Sequence, residues 1–163
     1  MLLKANEIVN ILGGRGLAEE QFPAQDIRAV ELKYIRAEFG DAFYQALLQN
    51  AGGVYDGFLA TFVKPALAYG VYLQVFDRIM YEISSRGVFQ LGGKDASAAP
   101  SSERLAMKAN IADTLGTLLD AMREEVASQK TAGNPLYTIA TTSTATSEAE
   151  VIMISNPKRN VWL

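Results

Sequence analysis

The chain contains no histidine and no cysteine. Without them there are no disulfides, no thiolate nucleophiles and no structural zinc site of the Cys/His type. Ser-His-Asp triads, histidine general bases and the Glu-x-x-His ligand pairs of a diiron bundle are excluded too. Oxygen-only Mg²⁺ or Ca²⁺ sites and carboxylate or lysine chemistry survive this filter. Charge is also sparse, at 20% of residues, with 15 basic against 18 acidic side chains and a net charge of −3. That balance lacks the basic footprint of a dedicated nucleic-acid binder. No apolar run reaches the roughly 18 residues of a membrane span. The nearest, residues 58–76, is interrupted by Lys64, Pro65 and Gln74. The opening MLLKANEIVNILGG is broken by Lys4, Asn6 and Glu7 and predicts no signal peptide.

What remains is 163 residues with 49% hydrophobic content. This is the composition of one globular domain able to bury a core without covalent staples. The chain changes character at Lys130. Residues 1–130 read as a helical body. Residues 131–163 read as an arm with no charged residue from Thr131 to Ser147 and a run rich in Thr, Ser and Ala.

Within the body, residues 3–12 predict a short amphipathic helix stopped by Gly13 and Gly14. Ile27, Val30, Tyr34 and Ile35 predict a helix from Ala24 to Phe39. Arg28, Glu31, Lys33, Arg36 and Glu38 would cover its outer face. Gly40 is its stop, and Asp41 a candidate N-cap for a helix reaching Gln49. Residues 55–85 hold the longest apolar segment and predict the central helix, with Pro65 either kinking it or opening its main part. A short extended piece at Val88 to Leu91 and a polar loop follow. The last body helix is expected over 101–129, with Leu105, Ala109, Ala112, Leu115, Leu119, Met122 and Val126 facing the core. Past Pro135, two segments beginning at Tyr137 and Val151 have strand propensity. Two strands alone are marginal in water and need partners.

Chemistry-bearing patterns are few. Gly13, Gly14 and Gly16 have neither a preceding strand nor a P-loop Lys-Ser/Thr, so they read as a connection, and Gly92-Gly93-Lys94 fails likewise. Glu19-Glu20 and Glu124-Glu125 are adjacent and diverge on a helix. Asp113 and Asp120 share a face that reads as solvated. The aromatics between Phe39 and Tyr81 read mainly as core, with Tyr55, Tyr72 or Tyr81 as candidates for facing a neighbouring subunit. No catalytic, cofactor-binding or metal-binding residue is expected. The candidate interface residues all lie in the arm: Tyr137, Ile139, Val151, Ile152, Ile154, Lys158, Arg159 and Trp162. The sole tryptophan, so near the end, suggests docking into a pocket.

The order of elements resembles a known family. A helix carrying Tyr-Ile-Arg-x-Glu-Phe-Gly-Asp-x-Phe-Tyr-x-x-Leu (residues 34–47) precedes a long helix with Val-Lys-Pro-Ala-Leu-Ala-Tyr (63–69). Ser-Ser-Arg-Gly-Val (84–88), a polar loop and a closing helix follow. Over residues 3–129 this is similar to the head–tail connector, or adaptor, proteins of tailed bacteriophages, most closely the ring proteins of crAss-like phages infecting Bacteroides-type hosts. The resemblance implies an all-α bundle of four to five helices with an extended C-terminal arm. It implies a virion protein, made in the host cytoplasm, that assembles as a ring, commonly of twelve copies, between the portal and the tail. Genomic DNA would pass through the lumen without specific binding. No cofactor, membrane or catalytic residue comes with it. The competing expectation is a cytosolic helical scaffolding or regulatory domain with a flexible tail.

Overall fold

The computed structural model describes residues 1–14, 16–85 and 101–138, with side chains at 81–85 and 101 left aside. These residues form six helices, and no strand occurs among them. We label them α1 (Ala5–Ile11), α2 (residues 24–39), α3 (Asp41–Gln49), α4 (residues 56–85), α5 (Ser101–Thr131) and α6 (Pro135–Thr138). The helical class expected from periodicity is therefore observed. The expected extended piece at Val88 to Leu91 and the strand at Val151 lie outside the described residues.

Helix α4 is the centre, packed by α1, α2 and α5. Its Val63, Ala66, Leu67, Ala68, Val71, Val75, Phe76 and Ile79 are all buried. Residues 56–80 have the length and mean hydropathy of a membrane span, and half of the window is buried inside the fold. Its broad apolar face is thus largely occupied by neighbouring helices.

Two wide turns shape the long helices. In α2, the Ala37 N–H reaches back five residues to the Leu32 carbonyl across a π turn, Leu32–Arg36. In α4, the Lys64 N–H does the same to Leu59 across Leu59–Val63. A π turn holds an extra residue per turn. In α2 this keeps Ile27, Glu31, Ile35 and Phe39, four apart, on one buried side. In α4 it sits immediately before Pro65, which has no N–H to donate to the preceding turn. The helix passes the proline without ending there.

Gly40 terminates α2 with φ 85°, a region where only glycine is free of strain. The cap expectation at Asp41 is corrected. Gly40 holds the N-cap position, and Asp41 is the first residue of α3, paired through its carboxylate with Arg36 Nε at 2.8 Å. Both are exposed, so the pair contributes little. Asn50 closes α3 in the left-handed region, its amide oxygen accepting the Tyr55 N–H at 2.9 Å.

Gly70 marks the closest approach of α4 to α2. A Cβ there would lie 2.9 Å from Val30 Cγ1 and 3.1 Å from the Tyr34 ring. Alanine gains about 1 kcal/mol of helix propensity, but overpacking costs about 1–3 kcal/mol. Val30 is fully buried and stiff at χ1, so the clash wins. Gly70→Ala is expected to lower stability by up to about 2 kcal/mol, read as a shift in urea midpoint. A midpoint at or above the wild-type value would show that the two helices separate freely.

Three further expectations are corrected. Glu31, read as outer-face cover, is completely buried. On α5 the buried line runs Ile111, Leu115, Leu119, Met122, Val126, and its backward extension is not Ala112, Ala109 and Leu105. Both backward paths keep helical spacing, but the bulkier Ile111 takes the core and Leu105 is left 68% exposed. The strand expected from Tyr137 begins, at Tyr137 and Thr138, as a helical turn, and the rest of it lies outside the described residues.

Candidate interaction surfaces

The first surface is the root of the arm. Gly133 turns the chain with φ 75°, and Asn134 caps α6 by accepting the Leu136 N–H at 3.1 Å. Pro135 takes the first helical position, where its missing N–H costs nothing. This turn drives Tyr137 into the core. Its ring stands 5.9 Å from Phe43, 6.0 Å from Tyr55 and 5.5 Å from Phe58, measured between centroids. The Tyr137–Phe58 pair is edge-to-face at 88°, a favoured quadrupole geometry. The Tyr55 hydroxyl donates to the Leu136 carbonyl at 2.8 Å. Burial pushes the Tyr137 phenol upward, helped by Glu125 and Tyr55, so it stays neutral. Tyr137 thus belongs to the body that it was expected to leave. Ile139, Val151, Ile152, Ile154, Lys158, Arg159 and Trp162 lie outside the described residues.

The second surface is an apolar groove of about 390 Å³ lined by Leu12, Gly16, Leu17, Tyr69, Tyr72, Ile79, Met80 and Met107. It lies between the end of α1 with its following loop, the second half of α4 and the start of α5. Ile79 is its buried floor, Tyr69 and Tyr72 are half-buried walls, and Met107 is 44% exposed at the lip. Burial raises the Tyr72 phenol above its usual range. Of the three tyrosines considered for a neighbour, Tyr72 is on this groove and Tyr55 is in the aromatic cluster. The Tyr81 side chain is outside the description.

A second cleft of similar size is lined by Met1, Leu2, Leu47, Leu48, Asn50, Asp56, Leu59, Ala60 and Lys64. Its polar groups are engaged: Lys64 Nζ binds Glu7 at 2.6 Å, and Asn50 donates to Asp56 at 2.6 Å. Burial pushes the Glu7 carboxyl up, but the bonds from Lys64 and the Lys4 N–H outweigh it and hold it below its usual range. Lys64 is a strut joining α4 to α1.

Several basic side chains among the described residues are paired. Arg28, Arg36, Arg78, Lys108 and Arg123 pair with Glu31, Asp41, Asp26, Asp77 and Glu38 in turn, and Arg123 also with Asp120. Among the described residues, no group of three or more acidic side chains is placed to hold a metal ion.

Buried Glu31 is what sequence reasoning missed. Its Oε1 accepts the N–H groups of Leu2 (2.5 Å) and Leu3 (3.3 Å), and its Oε2 accepts the Tyr44 hydroxyl (2.8 Å). Arg28 adds a longer contact at 3.5 Å and stacks over the Tyr44 ring. Burial raises the Glu31 carboxyl, partly offset by the Leu2 N–H, the amino-terminal charge, the Leu3 N–H and Arg28. The carboxylate pins the segment before α1 onto α2 and α3. The signal was its place four residues after Ile27 and four before Ile35.

Residues 35–147 match a family described as "Family of unknown function (DUF6712)". The chain belongs to this family. No curated protein and no solved structure matches it. The family match begins inside α2 and takes in α3, α4, α5 and α6, hence the aromatic cluster and most of the groove.

Proposed function

We propose that this protein is a structural virion component, a subunit of a head–tail connector ring that sits between portal and tail and is held there by its C-terminal arm. The observation that carries this reading is the anchored root. Tyr137 locks the chain into an aromatic cluster one residue before Thr138, so the last described residue of the chain is held at a fixed point on the body. An arm used for assembly needs such a root, because the pull of a bound partner must be transmitted to the folded body. The groove and the exposed Leu105 add apolar surface to the same body, which suits permanent contacts more than turnover. Paired basic residues suit a lumen through which DNA moves, since phosphate binding needs free Lys and Arg to displace counterions. Portal, tail proteins and further copies of the chain are the partners on this reading.

Removing residues 139–163 tests it. The shortened chain is expected to keep its helical signal and melting temperature within a few degrees, and to form no rings or larger assemblies by electron microscopy and light scattering. A shortened chain that assembles like the full one would remove the arm from the explanation.

A further inference from the structure

We propose that residues 1–12 form a strap that opens as a unit while the rest of the body stays folded, hinged at the glycine turn after α1 and latched by Glu31. The hinge is Gly13 and Gly14, which end α1 with φ 87° and 67°, values that cost glycine nothing. A Cβ on Gly13 would meet nothing within 4 Å, and one on Gly14 would meet only Val9, which belongs to α1 itself. The body therefore crowds neither residue. Both are free to take up the φ/ψ change that a hinge absorbs.

Side-chain acceptors tie the extended start of the strap down. The N–H groups of Leu2, Leu3 and Lys4 all go to carboxylates, the first two to Glu31 of α2 and the third to Glu7 of the strap, at 2.9 Å. Glu7 in turn holds Lys64 of α4. Such contacts separate cleanly. On opening, water takes over the Leu2 and Leu3 N–H groups, and Glu31 is rehydrated while the Tyr44 hydroxyl and Arg28 stay beside it. No buried donor or acceptor is orphaned, so the main penalty of breaking a buried hydrogen bond does not arise. Burial holds the Glu31 carboxyl above its ordinary range, as befits a carboxylate that regains hydration when the strap leaves.

Leu2, Leu3 and Ile8 oppose opening, because their buried side chains lose an apolar seat. Val9, Ile11 and Leu12 are only partly buried. Helix α4, by contrast, is buried from Val63 to Ile79 against three other helices. A unit of twelve residues with three fully seated side chains is of the kind that opens below the global unfolding free energy. Met1 and Leu2 also form part of the wall of the cleft that contains Leu47, Leu48, Leu59 and Ala60. Opening takes that wall away and leaves an apolar trough along α3 and the start of α4, so the strap gates this surface.

Residue-resolved hydrogen exchange on the full chain tests the strap. The reporters are the Leu3, Ile8 and Leu12 amides, bonded to Glu31, Lys4 and Ile8 in turn, against the Val71 and Val75 amides of α4. The strap amides are expected to exchange about a hundredfold faster than those of α4, and with little response to low urea, because a small opening exposes little surface. Tyr137→Ala, whose ring partners all lie outside the strap, is expected to speed the α4 amides about a hundredfold and to leave the strap amides within about threefold of wild type. Glu31→Gln is expected to speed the strap amides about tenfold. If strap and α4 amides exchange at one rate with one urea dependence, and Tyr137→Ala speeds them alike, the strap leaves only in global unfolding and the proposal fails. Fast strap exchange that is indifferent to Glu31→Gln removes Glu31 as the latch and overturns it equally.

Discussion

Tyr137→Ala is expected to lower the unfolding free energy by about 3–5 kcal/mol, the usual cost of truncating a buried aromatic side chain. Three rings lose their partner at once, since Phe43, Tyr55 and Phe58 all contact Tyr137, and the surrounding helices cannot close the hole without moving α3 against α4. Tyr137→Phe keeps the ring contacts and is expected within about 1.5 kcal/mol of wild type. Urea denaturation followed by circular dichroism distinguishes the two. Equal losses for both substitutions would mean that the hydroxyl, not the packed ring, holds α6 down.

The same contacts fix where the folded unit ends. A chain stopped after Lys130 lacks Leu136 and Tyr137 and suffers the full cavity; a chain stopped after Thr138 keeps the cluster whole. Against a total stability of about 5–15 kcal/mol, the first is expected to melt well below the second, which keeps the full chain's midpoint. Two truncations that melt together would contradict the aromatic anchor. The composition break at Lys130 is therefore not the boundary of packing, which continues through α6.

Why composition misled at that point is instructive. From Thr131 to Ser147 the residues are uncharged and many are β-prone, but Asn134-Pro135 is a cap followed by a helix-opening proline. A single turn needs little propensity of its own when Tyr137 enters an existing aromatic cluster. Elsewhere periodicity was sufficient: the 24–39 helix, the Gly40 stop, the helix reaching Gln49 and the closing helix all follow from apolar spacing and glycine punctuation. The π turns were harder to see, because hydrogen-bond register leaves only a faint trace, here the repeated step of four from Ile27 to Phe39. On α5 the spacing named an apolar stripe at Leu105, Ala109 and Ala112 without saying which neighbour would cover it. Within the described fold no neighbour covers Leu105. The groove was invisible for a related reason, since Leu12, Leu17, Tyr72 and Met107 meet only in three dimensions.

Glu31→Ala is expected to cost about 3–5 kcal/mol, near the upper end for single substitutions. Three buried donors, the Leu2 and Leu3 N–H groups and the Tyr44 hydroxyl, converge on this carboxylate. Each donor left without an acceptor costs about 1–3 kcal/mol, tempered where water enters the space. Glu31→Gln keeps one oxygen for the backbone amides and turns an NH₂ toward the Tyr44 oxygen, so a loss of about 1–2 kcal/mol is expected. The pair also separates charge from shape. Burial raises the folded-state pKa of Glu31 above its ordinary value of 4.5. The fold therefore binds the proton more tightly than the unfolded chain does. That contribution is fully present below the unfolded value and is lost as pH rises through the folded one. Glutamine cannot titrate, so the stability of wild type minus that of Glu31→Gln should fall as pH is raised from about 4.5 toward neutrality, then level off. A difference that stays flat over this window, or rises, would mean that the amides and Arg28 stabilise the carboxylate more than burial disfavours it. The clasp on the segment before α1 would then be strongest when Glu31 is charged.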